Sequence, residues 1–252
     1  MIIEPKDRIL VALDYDNATD AVALAQKLSG TIGGVKVGLE LVNAAGFDIF
    51  DKLRDAGIER IFYDAKFHDI PNTVAGAVRA AAKRGVWMVN VHTSGGKAMM
   101  EAATEAAHSV ENPPLLIGVT VLTSLDQLAL SSELRVMGSV SKHVTHLAEL
   151  AKASGLDGVV SSPLELADIR AACGEGFITV IPGIRPAGVG AQDQKRVATP
   201  AAAVAAGADY LVIGRAITGA SDPRAAAEAI ANSLLPRPSA QSWEAGWGGE
   251  SL

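Results

Sequence analysis

The chain contains one cysteine, Cys173, among 252 residues. A single thiol closes no internal disulfide and builds no cysteine-rich metal site, so an inert, partly buried thiol is its expected state. Long apolar runs are also missing, and none approaches the roughly 20 residues that a membrane-spanning helix needs. Residues 1–7 carry charges and lack the apolar centre of a signal peptide. No membrane association and a cytoplasmic location are therefore expected. Positive charge is not in excess: the formal net charge is -6, with no basic block, which disfavours nucleic acid as a partner. An acidic chain that takes an anionic ligand has to gather its few cations locally, so the placement of Lys and Arg matters more than their number. No Gly-x-Gly-x-x-Gly follows the first apolar run, which removes the main cue for a dinucleotide fold. Ser94-Gly95-Gly96-Lys97 lacks the spacing of a phosphate loop and reads as a turn and a helix start.

What the sequence does have is alternation. Short apolar runs at 8–13, 32–37, 60–66, 86–91, 115–122, 158–160, 177–181 and 210–213 read as buried parallel strands. Between them lie helical patterns, including 39–56, 71–84, 97–108, 139–153 and 200–206, with a last one at 222–234. Asn17 and its neighbours offer caps for the first helix, Pro71 suits a first helical turn, and Gly57 suits a stop. Strand and helix in strict alternation imply a parallel sheet with helical crossovers. An open doubly wound sheet is one solution. Eight units in a chain of this length favour a single-domain α/β fold, the closed (β/α)₈ TIM barrel. The barrel is expected over residues 1–235. Residues 236–252, rich in Pro, Ser and Gly and carrying Trp243 and Trp247, fall outside the pattern.

The third run is the most informative. Phe62-Tyr63-Asp64-Ala65-Lys66-Phe67-His68-Asp69-Ile70-Pro71-Asn72-Thr73 starts as a buried strand and ends in three charges and a turn. Asp64 and Lys66 are two apart, so along a strand they point the same way. Burying them unpaired would be costly. Placed together, they satisfy one another, and acidic neighbours favour the charged form of a lysine. The result is a proton donor held ready; a structural salt-bridge cluster is the alternative reading.

Other polar residues also fall where strands end: Asp14 after the first, Lys36 in the second, His92 at the fourth, Thr123 at the fifth, Arg185 after the seventh, and Gly214-Arg215 at the eighth. A barrel brings all of these ends to one face, where active sites lie. Gly214 allows close backbone approach to a ligand, and Arg215 adds a planar bidentate donor for phosphate oxygens. The long connection 183–199, with Arg185, Gln194, Lys195 and Arg196, has the composition of a lid over an anion and equally that of a solvated loop. His92 is read as a packing residue or a catalyst.

The string Asp-x-Lys-x-x-Asp-Ile-Pro-x-Thr resembles the signature of the orotidine 5'-phosphate decarboxylase family. Val11-Ala12-Leu13-Asp14, Val35-Lys36-Val37-Gly38, Val119-Thr120-Val121-Leu122-Thr123-Ser124, Pro182-Gly183-Ile184-Arg185-Pro186 and Gly207-Ala208-Asp209-Tyr210-Leu211-Val212-Ile213-Gly214-Arg215 extend the likeness, in order, over about residues 8–233. The resemblance implies decarboxylation of orotidine 5'-monophosphate to uridine 5'-monophosphate, with no cofactor and no metal. It implies Lys66 as the proton donor, with Asp64, Lys36 and Asp69 completing the charged network. Asp14 and Lys36 would bind the ribose, and Thr123 the pyrimidine. Arg185, Gln194, Gly214 and Arg215 would hold the phosphate region, and Asp64, Ile70 and Thr73 would also contact substrate. It further implies a homodimer in which Asp69 reaches the neighbouring subunit's site.

Two other readings stand beside it. Magnesium-dependent sugar-phosphate aldolases and decarboxylases of the same barrel superfamily share the Asp-x-Lys-x-x-Asp core. They carry an acidic metal ligand where this chain has Lys36. A non-catalytic phosphate-binding barrel would need Arg215 but not the charged triad.

Overall fold

Every residue of β1 (Ile9–Ala12) is buried, as a parallel strand covered on both faces requires. The same holds for most of β2 (Gly34–Val37), β3 (Ile61–Phe67), β4 (Met88–His92), β5 (Leu115–Val119), β6 (Gly158–Val160), β7 (Ile178–Ile181) and β8 (Tyr210–Ile213). The strands pair in parallel in chain order, and β8 returns to β1, with Leu10 opposite Val212. The expected closed (β/α)₈ barrel is thus found. The computed structural model describes residues 3–186 and 198–235. Gln194, most of the proposed lid and the 236–252 tail lie outside the described residues.

Alternating side chains divide the interior into two cores. Leu10, Phe62, Met88, Ile117, Val180 and Tyr210 fill the inside of the barrel. Their chain neighbours Val11, Tyr63 and Val89 point outward, into a larger core shared with the helices. Each fully buried aliphatic or aromatic side chain contributes about 1.5–3 kcal/mol, so the frame beneath the strand ends is rigid.

The crossovers are α1 (Ala18–Leu28), α2 (Leu39–Ala45), α3 (Ile49–Asp55), α4 (Pro71–Lys83), α5 (Lys97–Ala107), α6 (Val140–Ala153), α7 (Leu166–Cys173), α8 (Pro200–Ala205), α9 (Arg215–Thr218) and α10 (Pro223–Ser233). Their starts follow local chemistry. Asn17, Ser139 and Asp222 each accept a hydrogen bond from a first-turn backbone N–H, and Pro71, Pro200 and Pro223 occupy first positions. At the floor of the barrel, Arg170 on α7 ties β7 and β8 together. It donates to Phe177 O at 2.6 Å and to the Asp209 carboxylate at 2.7 Å.

The structure corrects the sequence reading in two places. The helix expected over 39–56 is two helices, because Gly46 adopts φ +72°, a left-handed conformation that ends α2. The strand expected over 115–122 stops at Val119; Val121, Leu122 and Thr123 leave the ladder and wall a cavity instead. A short helix, α9, begins at Arg215 itself. Among the described residues, no helix is long and apolar enough to cross a membrane.

Candidate active site

The site is built on an irregularity in β3. Tyr63 stands opposite Val89 on β4, but Phe67 stands opposite Val91. Three residues, Asp64, Ala65 and Lys66, therefore face one residue, Asn90. Such a bulge re-aims side chains at the rim of a barrel. Lys66 has φ +50°, the left-handed region that residues with a Cβ seldom occupy. The Asn90 side chain takes over where the ladder is interrupted: its Oδ1 accepts from the Lys66 backbone N–H at 2.7 Å.

Around this bulge the charges interlock. Lys66 Nζ lies 2.6 Å from Asp64 Oδ1, and Asn90 Nδ2 donates to the same oxygen at 2.7 Å. Lys36 Nζ lies 3.5 Å from Asp64 Oδ2 and 3.1 Å from Asp14 Oδ1. Asp14, Lys36, Asp64 and Lys66 thus form a chain of alternating sign, linking three strands. Burial alone would raise the pKa of Asp64. The Lys36 and Lys66 ammoniums, with the hydrogen bonds from Lys66 and Asn90, outweigh it and hold the carboxyl below its ordinary value. Asp64 is therefore an anion at neutral pH. Gly38 keeps the arrangement open, since a Cβ there would come within 3.1 Å of Lys36 Nζ.

Asp14, Lys36, Asp64 and Lys66 line a cavity of about 330 Å³, within the range of small-molecule sites. Its wall is apolar, with Val119, Val160 and Val212 contributing. The lining also includes Thr123, Gly183, Arg185, Gly214 and Arg215. Lys36, Lys66, Arg185 and Arg215 thus meet two carboxylates in one cavity of a chain whose overall charge is negative. Arg185 is buried, and Arg215 starts α9, directly after Gly214 at the end of β8. The local excess of positive charge suits an anion, and Arg recognises phosphate through a bidentate fork.

The structure brings together Asp14, Lys36, Asp64, Lys66, Thr123, Arg185, Gly214 and Arg215. Asp69, Ile70 and Thr73 go elsewhere. They are exposed, on the β3–α4 connection and the first turn of α4, outside the lining of this chain's own cavity. Asp69 Oδ1 accepts from the Ile70 N–H at 2.6 Å. His92 packs against His68, with ring centroids 5.4 Å apart. Burial first, then the neighbouring His68 and Lys66, push its pKa down, so it is neutral at neutral pH. Asn90 was not among the sequence candidates, although the signal was there: an amide inside the run Met-Val-Asn-Val needs partners to be buried.

Residues 7–230 match the family model described as "Orotidine 5'-phosphate decarboxylase / HUMPS family". A relative from Halorhodospira halophila, named orotidine 5'-phosphate decarboxylase, is 53% identical over 92% of this chain and 97% of its own length. One of the same name from Moorella thermoacetica is 52% identical over 90% of this chain and 91% of its own. Among solved structures, orotidine 5'-phosphate decarboxylase from Lactobacillus acidophilus superposes with a TM-score of 0.80 at 39% identity, covering 90% of this chain and 99% of that one.

Proposed function

The chain belongs to the orotidine 5'-phosphate decarboxylase / HUMPS family, and from that premise we propose that it converts orotidine 5'-monophosphate to uridine 5'-monophosphate and CO₂ without a cofactor. Lys66 is the proton donor in this reading. The observation that carries it is the Lys66 ammonium, 2.6 Å from Asp64, in the same cavity as Arg215.

The chemistry follows from charge. Breaking the bond between C6 of the pyrimidine and its carboxylate leaves an electron pair on C6, with no adjacent electron sink. Fixed cations stabilise such a charge best when they are already in place. Lys66 supplies the positive charge and then the proton, and the product carries a C6–H bond. Asp64 orients Lys66 through their 2.6 Å ion pair. Lys36, held between Asp14 and Asp64, orients the ribose hydroxyls with Asp14. Thr123 contacts the base, and Arg185, Gly214 and Arg215 grip the phosphate, joined by Gln194. Binding energy from the distant phosphate organises the reacting end.

Lys36 also argues against the magnesium-dependent alternative. Its ammonium sits between Asp14 and Asp64, where a divalent cation would otherwise find its carboxylates. We place Asp69, with Ile70 and Thr73, in the site of a second copy within a homodimer; their exposure outside their own cavity supports that reading.

The test is the change in ultraviolet absorbance as purified protein consumes orotidine 5'-monophosphate with a metal chelator present. No consumption, with or without added metal, sinks the activity. Consumption that requires metal points to the magnesium-dependent class.

Two variants probe the details. In Gly38→Ala the new Cβ meets only side-chain tips, Lys36 Nζ at 3.1 Å and Asp14 Oδ1 at 3.9 Å, so stability should change by less than about 1 kcal/mol. The displaced ammonium should lower turnover roughly 10- to 100-fold; unchanged turnover would remove Lys36 from the site. Mixing inactive Lys66→Ala and Asp69→Ala subunits should restore activity, because one of the two sites in a mixed dimer is then complete. No recovery in confirmed mixed dimers would return Asp69 to its own chain.

A further inference from the structure

We propose that Asn90 is a positioning residue for the reaction: one side-chain amide holds the Lys66 backbone in its bulged, left-handed conformation and aims the Asp64 carboxylate at the Lys66 ammonium. The proposal rests on the reading of Lys66 as proton donor.

Lys66 reaches its position through a backbone conformation that its own chemistry disfavours. Such a residue persists only where its surroundings over-determine it. The regular β3–β4 register is lost between Tyr63 and Phe67, so the ladder does not supply that constraint. Asn90 does. It is fully buried on β4, directly across the bulge. Its oxygen accepts the Lys66 N–H at 2.7 Å, and its nitrogen donates to Asp64 Oδ1 at 2.7 Å. The Lys66 ammonium meets that same Asp64 oxygen at 2.6 Å. The amide, the carboxylate and the lysine therefore close a ring, in which Asn90 fixes the backbone of Lys66, Asp64 fixes its tip, and Asn90 and Asp64 are bonded to each other.

The two tasks need an acceptor and a donor on one short, planar, neutral group. Leucine has neither. A carboxylate accepts from Lys66 but repels Asp64. Serine is too short to span both. Asn90 is not itself among the residues that line the cavity, so it acts through Lys66 and Asp64 and not on substrate.

Asn90→Leu should lower kcat by about 100-fold, the scale of a displacement of the order of 1 Å at the reacting groups. KM should stay within about threefold, because the phosphate grip is untouched. A crystal structure of this variant should show Lys66 out of the left-handed region, or its ammonium out of hydrogen-bonding range of Asp64. Asn90→Asp distinguishes positioning from mere packing. When protonated, the introduced carboxyl can donate to Asp64 and accept from the Lys66 N–H, as the amide does. When ionised, it faces Asp64 as a like charge. Its kcat should therefore fall as pH rises, along a limb missing from the parent profile. The neighbouring titratable groups, Lys36 on β2, Asp64 and Lys66 on β3, His68 beyond it and His92 on β4, are common to both proteins.

Parental kcat in Asn90→Leu, or an unmoved Lys66 in its crystal structure, overturns the proposal. Should Asn90→Leu fail to fold, the Asn90→Asp profile decides, and a profile parallel to the parent's overturns it. Failure of the parent protein to consume orotidine 5'-monophosphate would instead strike the functional reading and leave the conformational result standing.

Discussion

Replacing Lys66 with alanine is expected to lower kcat by about 10⁴-fold or more, the combined scale of losing a general acid and a preorganised charge. Both losses arise from one atom, Nζ, which lies 2.6 Å from Asp64 and lines the cavity. The fold should survive. Asp64 keeps Asn90 at 2.7 Å and Lys36 at 3.5 Å, so its charge is not abandoned in the interior. Lys66→Gly should be equally inactive but about 1 kcal/mol more stable than Lys66→Ala, because glycine adopts φ +50° without the steric cost of a Cβ. Acid stability gives an independent reading. The pKa of Asp64 is depressed in the fold, so its contribution to stability is present above its unfolded value, about 3.9, and is lost as pH falls through the folded value. Removing Lys66 weakens that depression, and acid unfolding should begin at higher pH, as followed by circular dichroism. Near-parental turnover in Lys66→Ala would end its role as proton donor.

Arg215→Ala should lower kcat/KM for orotidine 5'-monophosphate by about 100-fold or more, the scale of removing a charged partner from an ionic contact. Turnover of the unphosphorylated nucleoside should change little. Arg215 begins α9 directly after Gly214, so its guanidinium and the first backbone N–H groups arise at the same end of β8. The loops after the last two strands are the recurrent phosphate site of barrels, and Arg185, from the segment after β7, lines the same cavity. Loss of Arg215 thus removes one of two cations and leaves the Lys66 end intact. Equal losses for nucleotide and nucleoside would count against phosphate recognition and assign Arg215 a structural role.

Much of this architecture could be read from the chain. Apolar runs such as Ile9–Ala12 are buried strands, and the caps at Asn17, Ser139 and Asp222 start helices where the side-chain chemistry indicated. That Asp14, Lys36, Thr123, Arg185 and Arg215 line one cavity was legible because each lies in or after a strand, and a parallel barrel sends all such ends to one face. The break inside the 39–56 pattern was not legible: a glycine there is tolerated or terminal, and only the positive φ of Gly46 shows that it ends a helix.

The sequence by itself determined the alternation of strand and helix, the barrel it implies, and the polar residues that follow the apolar runs. These are local properties, set by side-chain direction and backbone preference over a few residues. Only the tertiary structure decided that β3 bulges opposite Asn90, that Lys66 turns left-handed there, and that Asp14, Lys36 and Asp64 join into one chain of charge. It also decided that Asp69 lies exposed, outside the lining of its own cavity. The physical reason is distance along the chain: Asn90 and Lys66 are 24 residues apart, and Asp14 and Lys36 are 22 apart. Their contacts exist only once barrel closure has set the register between strands.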